Sequence, residues 1–259
     1  MPARSSYAQG TPNWVDLSTT DHEAAKTFYG ELFGWTFDDQ PIPGSDTVYS
    51  MALKGDGVVG AISAQSAETA AQNVPPMWNT YLAVDDVDAA LARADAAGGK
   101  VAMPAFDVMD AGRMAFVIDP SGAPVALWQA KDHIGATLVN EPGALIWNDL
   151  RADDPIAAAA FYVAVFGLTG DAQNWDTTPY ISLKVGGEPV AGISERPDGE
   201  GPSGWQIYFA VDDTLAVTEK AKALGGTAIA EPTDTPIGPM ATLADPQGAV
   251  FNVISIVPQ

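Results

Sequence analysis

The stretch that decides the fold is NWVDLSTTDHEAAKTFYGELFGW at residues 13–35, which returns as IWNDLRADDPIAAAAFYVAVFGL at residues 146–168. The residues kept at one constant offset are Trp14 and Trp147, Asp21 and Asp154, Phe28 and Phe161, and Tyr29 and Tyr162. An offset of about half the chain predicts a duplicated architecture rather than a short repeat array.

A second pair of segments supports the duplication. MWNTYLAVDDVDAALARADAAGGKV at residues 77–101 resembles GWQIYFAVDDTLAVTEKAKALGGTA at residues 204–228. Each half then closes with a DP-x-G turn, at residues 119–122 and 245–248, followed by an apolar run. Each half therefore contains two related units.

The alternation in NWVDLST is typical of a strand with one buried face. Val15 and Leu17 fall on one side, and Trp14, Asp16 and Ser18 fall on the other. We therefore expect Trp14 and Asp16 to share a face with each other and not with the core.

The segment after this strand has the pattern of a capped helix. Thr20 with Glu23 three residues later forms a capping-box pattern, and Gly34 marks the end of the helix. The twin helix begins at Asp154, with Pro155 in its first turn, and ends at Gly167.

Together these patterns predict an α+β fold of four strand–helix–strands units. We place two units in residues 1–134 and two in residues 135–259, with KDHIGATLVNEPG at 131–143 linking the halves. The segments 63–76 and 194–204 are predicted to be the loops that join the units within each half.

Composition limits the partners. The 259 residues include 33 acidic and 12 basic side chains, for a net charge of -21, which disfavours nucleic acid and anionic membranes. There is no cysteine, so thiolate chemistry is excluded.

The N-terminus lacks an apolar signal-like run, and the most apolar segment, at 156–168, is shorter than the about 20 residues that a membrane span needs. We expect a cytoplasmic protein.

The motifs D…AAxxFYxxxFGW, VDDVDAALARADAAGG and DP-x-G together resemble the vicinal oxygen chelate (VOC) superfamily, which includes glyoxalase I, bleomycin resistance proteins and extradiol dioxygenases. The similarity covers nearly the whole chain and is greatest to tandem, four-module members described as glyoxalases or hydroxylases. It implies four βαβββ modules, paired so that each half encloses a cleft.

The resemblance also implies where metal ligands would lie. In metal-using members, ligands sit on the first and last strand of each module. The corresponding first-strand positions are Trp14, Asn79, Trp147 and Gln206, and the last-strand positions fall near Gly60, Ala126, Gly192 and Asn252. None of these side chains is an imidazole or a carboxylate, and an indole N–H only donates. We therefore expect no metal and no other cofactor.

Asp16 and Asp149 are the acid–base candidates. Each follows its tryptophan by two residues on the same face, and burial beside an indole raises the pKa of a carboxyl. Alternatively, each carboxylate is simply hydrogen-bonded to a neighbouring strand or to an arginine. Other predicted ligand-binding residues are Tyr81, Arg113 and Tyr208, with Asn79, Gln206 and Asn252, although ordinary packing explains each of them too. The two histidines are not duplicated: His22 is predicted to be a solvated side chain in the first turn of a helix, and His133 is predicted to be structural.

Three functions remain open from the sequence. The leading hypothesis is a metal-free protein that binds a planar or apolar small molecule against Trp14 and Trp147. The alternative is a metal-independent isomerase, lyase or cyclase that uses Asp16 or Asp149 as a general base. An interaction protein that uses its outer surface is the third.

Overall fold

The computed structural model describes residues 3–175, 178–197 and 201–255. The elements of the first half are β1 (Pro12–Thr19), α1 (His22–Phe33), β2 (Thr36–Pro41), β3 (Val48–Lys54), β4 (Gly57–Ala64), α2 (Ala67–Ala71), β5 (Met77–Ala83), α3 (Val87–Ala96), β6 (Lys100–Val108), β7 (Gly112–Ile118) and β8 (Pro124–Ala130). Those of the second half are β9 (Leu145–Ala152), α4 (Pro155–Phe166), β10 (Thr169–Trp175), β11 (Thr178–Val185), β12 (Glu188–Glu195), β13 (Gly204–Ala210), α5 (Thr214–Ala223), β14 (Thr227–Thr233), β15 (Met240–Ala244) and β16 (Val250–Ile254).

Each half forms one eight-stranded sheet. The order is β2-β3-β4-β1-β5-β8-β7-β6 in the first sheet and β10-β11-β12-β9-β13-β16-β15-β14 in the second. The sheets are therefore the same arrangement twice, and the predicted α+β fold of paired βαβββ modules is confirmed. The predicted loop at 63–76 contains the short helix α2, which Ser66 caps.

The modules of each half join through their first strands. β1 runs antiparallel to β5, so that Trp14 pairs with Tyr81 and Asp16 pairs with Asn79. The second sheet repeats this register between β9 and β13, with Trp147 opposite Tyr208 and Asp149 opposite Gln206. The junction therefore places an indole, a carboxyl, a phenol and an amide side by side in each half.

The helix caps agree with the sequence except at one residue. Asp21, and not Thr20, is the N-cap of α1, and its side chain accepts a hydrogen bond from the Ala24 backbone N–H. A carboxylate at that position satisfies a free N–H of the first turn, which makes the predicted Thr20–Glu23 box unnecessary. Gly34 ends the helix at φ 74°, in the left-handed region that a glycine adopts at little cost.

The two large apolar cores lie between the halves. One contains α1 and β1 residues of the first half with β13 and β16 residues of the second, for example Phe28, Leu17 and Phe251. The other combines α3 residues with α4 and β9 residues, for example Ala90 and Tyr162. Both large cores therefore draw on both halves, because the helix-bearing face of each sheet packs against the other half, while a third, smaller cluster lies within the first sheet and the linker.

Two matching hydrogen-bond chains cross this interface. Trp78 Nε1 donates to the Tyr29 hydroxyl (3.0 Å), which donates to Asp245 Oδ2 (3.1 Å). In the equivalent chain, Trp205 Nε1 donates to the Tyr162 hydroxyl (3.0 Å), which donates to Asp119 Oδ2 (2.9 Å). The repeated tyrosine and the repeated DP-x-G aspartate thus join the halves. Among the described residues, no helix is both long and apolar enough to span a bilayer.

Candidate functional site

The first cleft is the face of the first sheet that points away from the shared cores. Trp14 Nε1 donates to the Tyr49 hydroxyl (2.9 Å), which donates to Asp16 Oδ2 (2.9 Å). Tyr81 donates to the same oxygen (2.7 Å), and Asn79 Nδ2 donates to Oδ1 (2.8 Å). Both oxygens of Asp16 are therefore occupied by side chains of the protein.

Asp16 is 5 % exposed, and this burial raises its pKa. Its hydrogen bonds from Asn79, Tyr81 and Tyr49 offset part of that rise, because they favour the ionised form. The carboxyl is thus a fully satisfied buried group. This arrangement matches the structural alternative left open from the sequence, a carboxylate that holds strands together.

The segment that links the halves packs onto the first cleft. The His133 ring meets Trp14 edge-on, with the ring centroids 4.5 Å apart, and Trp128 Nε1 donates to the His133 carbonyl (2.8 Å). Ala136 joins the apolar cluster formed there by Trp14, Tyr81 and Trp128. Burial lowers the pKa of His133 to about 4, so its imidazole is neutral at physiological pH.

The second cleft has the same frame but different contacts. Trp147 Nε1 donates to the Tyr180 hydroxyl (3.0 Å), and Asp149 Oδ2 accepts from Ser194 Oγ (2.8 Å). Asp149 Oδ1 is buried, and no described group makes a hydrogen bond to it. Trp147 is half-buried, whereas Trp14 is only 3 % exposed.

Burial raises the pKa of Asp149 to about 6. Ser194, the nearby Tyr180 hydroxyl and the charge of Arg151 offset part of this rise. A carboxyl with this pKa is present in both protonation states near neutral pH. Asp149 can therefore accept a hydrogen bond or a proton from a bound molecule.

Gly192 makes the position of this carboxyl possible. It is the register partner of Asp149 on the parallel strand β12, and a Cβ at Gly192 would overlap both Asp149 Oδ1 and the Tyr180 hydroxyl. The matching residue of the first sheet is Ala61, the partner of Asp16. The family-implied position near Gly60 is therefore off by one residue, because Gly60 faces Val15 and Trp78 on the core side.

The other predicted residues of the second cleft lie together. Tyr208 pairs with Asn252 across β13 and β16 and is 7 % exposed, and Gln206 is half-buried opposite Asp149. Asn252 is buried, accepts from Thr242 Oγ1 (2.7 Å) and donates to the Ile207 carbonyl (3.2 Å).

Arg113 is not in the first cleft, and its prediction is wrong. It alternates with Met114, which does belong to the cleft cluster, so its side chain leaves from the opposite face. There it pairs with Asp88 at 3.1 Å and Asp107 at 3.5 Å.

The side chains of the clefts do not suit a divalent metal. Within the described ranges, no three histidine, aspartate or glutamate side chains lie close enough together to hold one. The first-strand positions carry Trp14, Asn79, Trp147 and Gln206, and each cleft offers a single carboxylate. Zinc, manganese and iron sites need several imidazole or carboxylate donors, so the residues present do not fit such an ion.

Sequence reasoning missed Tyr49, Tyr180, Ser194 and the role of His133. The first three come from β3, β11 and β12, whose register against β1 and β9 no local pattern reveals. The recurrence of Tyr49 as Tyr180 in the second half could have indicated these two residues. In the structure they occupy equivalent places, since Tyr49 pairs with Ser63 and Tyr180 pairs with Ser194.

The similarities to known proteins agree with this architecture. Residues 11–127 match the Glyoxalase/Bleomycin resistance protein/Dioxygenase superfamily, and residues 147–254 match a Glyoxalase-like domain. The "Putative glyoxylase CFP32" of Mycobacterium bovis is 55 % identical over the full length of both chains. The "Anthracycline biosynthesis protein DnrV" of Streptomyces peucetius is 35 % identical, over 96 % of this chain and 94 % of that protein.

Solved structures show the same fold at low sequence identity. The Mn(II)-bound glyoxalase from Novosphingobium aromaticivorans has a TM-score of 0.65 at 16 % identity, over 96 % of this chain and 82 % of its own. The 2,3-dioxygenase LapB from Pseudomonas sp. KL28 has a TM-score of 0.64 at 16 % identity, over 97 % of this chain and 93 % of its own. The chain belongs to the glyoxalase/bleomycin resistance protein/dioxygenase superfamily, as a tandem protein of two such domains.

Proposed function

We propose that this protein binds a small organic molecule in an inter-module cleft and contacts it with indole, phenol and carboxyl groups instead of a metal. The observation that carries the proposal is the half-buried indole of Trp147 on the same strand face as the buried carboxyl of Asp149. An aromatic wall with one polar anchor is typical of sites for planar organic ligands.

The relatives favour a planar ligand. Two Streptomyces proteins at 35 % identity are named for anthracycline biosynthesis, and anthracyclines are built on flat polycyclic rings. Binding without turnover would give the protein a role comparable to that of the bleomycin-resistance branch, which sequesters a drug-like compound.

The second candidate function is catalysis by Asp149, as a metal-independent isomerase, lyase or cyclase. The pKa of about 6 favours it, because such a carboxylate takes up a proton more readily than an ordinary aspartate and is still largely ionised at pH 7. Asp149 would remove a proton from the bound substrate and return it at another atom. Asp16 is the weaker candidate, since three side chains already donate to it.

Native mass spectrometry of the protein purified from its own cells tests the proposal. We expect an organic molecule to copurify with it. Incubation of the protein with that molecule then separates the two functions: a binder captures it unchanged, whereas an enzyme forms product and loses turnover in Asp149→Asn. Recovery of the protein with a bound divalent metal and no organic molecule would contradict the proposal.

The net charge of -21 supports a further part of the proposal, namely that nucleic acids and anionic membranes are not partners. We also propose that the protein works in the cytoplasm. Cell fractionation of the source organism checks the location. Recovery in the membrane or extracellular fraction would contradict it.

A further inference from the structure

The strand registers allow the two clefts to be compared position by position. Next to Asp16, the first sheet pairs Met51 with Ala61 across β3 and β4; next to Asp149, the second sheet pairs Ser182 with Gly192 across β11 and β12. At each position the second cleft has the smaller residue, and Ser182 brings a hydroxyl where the first cleft has a thioether.

In the other module of each half, hydrogen-bonding side chains likewise replace apolar ones. The first sheet pairs Phe116 with Ala126 across β7 and β8, and the second pairs Thr242 with Asn252 across β15 and β16. A ring and a methyl group are thus replaced by a hydroxyl and an amide. At these compared positions the first cleft has only apolar side chains, while the second has Ser182, Thr242 and Asn252, which can form hydrogen bonds.

The two aspartates also differ in how many of their oxygens accept hydrogen bonds from the protein. Asp16 receives hydrogen bonds on both oxygens from the protein. Asp149 accepts from Ser194 on Oδ2 and is also stabilised by the Tyr180 hydroxyl, but its Oδ1 is buried and no described group makes a hydrogen bond to it. A buried acceptor without a donor is costly to leave unsatisfied, so the site favours a molecule that supplies the missing donor.

The first cleft is also occupied by the protein itself. His133 packs against Trp14, and Ala136 lies in the cluster with Trp14, Tyr81 and Trp128. Backbone bonds from Ala136 to the Asn13 carbonyl and from Thr137 to the Val58 carbonyl fasten this segment to the sheet. A ligand would have to displace it.

We infer that the two clefts have diverged: the first is a closed structural copy, and the second alone takes a ligand, a planar aromatic molecule that presents a hydroxyl or N–H donor to Asp149 Oδ1. This inference rests on the proposed function and specifies its location, its stoichiometry and the chemical class of the ligand.

A matched pair of probes tests it on the full-length protein. 2-Hydroxyanthraquinone and 2-methoxyanthraquinone share a planar shape, but only the first carries a donor. By isothermal titration we expect one equivalent of the hydroxyl compound to bind per chain, about tenfold or more tighter than the methyl ether, since one hydrogen bond to a charged group distinguishes them.

Variants locate the effect. Asp149→Ala should bring the ratio of the two affinities close to one, whereas the matched Asp16→Ala should keep the parent ratio. If Asp149→Ala does not fold, Ser182→Met fills the second cleft with the residue of the first and should weaken both probes, while the converse Met51→Ser should not.

Several results would overturn the inference. These are binding of two equivalents per chain, no preference for the hydroxyl compound, or loss of the preference in Asp16→Ala and not in Asp149→Ala. Failure of both probes to bind would overturn the ligand class. In each case a copurified organic molecule would still support the proposed function, so the two can fail separately.

Discussion

At the scale of single residues, Asp16 and Asp149 occupy equivalent positions but differ in hydrogen bonding and in pKa. They lie on equivalent strands, β1 and β9, in the same register and two residues after a tryptophan, but both oxygens of Asp16 accept hydrogen bonds from Tyr49, Asn79 and Tyr81. Asp149 is not saturated and keeps a pKa of about 6. The difference arises entirely from the residues on the neighbouring strands.

Asp149 should make stability depend on pH in a predictable direction. With its pKa raised from 3.8 to about 6, the folded state holds the proton that the unfolded state releases, so stability falls as pH rises between these values. Asp149→Asn removes this loss and should be more stable than the parent at pH 7, by up to about 3 kcal/mol, but not at pH 4. Urea unfolding at both pH values measures it. An equal difference at pH 4 and pH 7 would show that the carboxyl titrates normally.

The donor set predicts that no divalent metal binds tightly. Each cleft offers one carboxylate beside indole, phenol and amide groups, too few donors for a stable site. Elemental analysis after extensive dialysis should find much less than one equivalent of zinc, nickel, manganese or iron. A near-stoichiometric amount of any of these metals would refute the prediction.

Part of this site could be predicted from the sequence. Period-two alternation correctly places Trp14 and Asp16 on the face opposite Val15 and Leu17, and the repeat transfers that assignment to the second half. The partners could not be predicted, because Tyr49 and Ser194 lie on strands whose register depends on long-range pairing. The prediction for Arg113 rests on no such pattern, and its side chain lies on the opposite face of β7 from Met114.

At the scale of elements, α1 and α4 carry the residues that fasten the halves together. Each presents a tyrosine that accepts from a tryptophan of the neighbouring module and donates to the DP-x-G aspartate of the other half. The repeated FYxxxFG motif could be assigned to a helix from sequence, as could the glycine that ends it. Its contact with Asp119 or Asp245 could not, because the partner lies across an interface that neither half encodes alone.

Tyr29→Phe should therefore destabilise the whole protein. The change leaves Trp78 Nε1 and Asp245 Oδ2 without their shared partner in a buried place, which costs about 1–3 kcal/mol. Tyr162→Phe, its mirror variant, should cost a similar amount. Tyr7→Phe is the control, since it removes a single bond to the Ala136 carbonyl at a half-buried site. Denaturant unfolding compares the free energies of unfolding of these variants. A smaller loss of stability in Tyr29→Phe than in Tyr7→Phe would contradict the stabilising role of the Trp78–Tyr29–Asp245 hydrogen bonds.

At the scale of the whole molecule, the two duplicated halves form separate sheets but share their large apolar cores. The sheets follow the chain halves, with strands from 12 to 130 and from 145 to 254, but both large cores draw on both halves. The sequence repeat predicts the sheets because pairing within a half is set by the repeated unit. It does not predict the cores, since the same amphipathic helices could cover their own sheet or face a partner.

Neither half should fold alone. Separate production of residues 1–134 and 135–259 exposes the apolar face that each half normally buries against the other, so neither should show a cooperative thermal transition. Coexpression of the two halves should restore one transition. A single half that unfolds cooperatively, at a temperature close to that of the parent, would show that its core is self-sufficient.

The divergence of the two clefts is tested most directly by ¹⁹F NMR of protein labelled with 5-fluorotryptophan and titrated with 2-hydroxyanthraquinone. The chain has seven tryptophans, and the Trp14→Phe and Trp147→Phe variants assign the two resonances that matter. We predict that the Trp147 resonance shifts on saturation and that the Trp14 resonance stays in place. A shift of Trp14 equal to or larger than that of Trp147 would contradict the assignment of ligand binding to the second cleft alone.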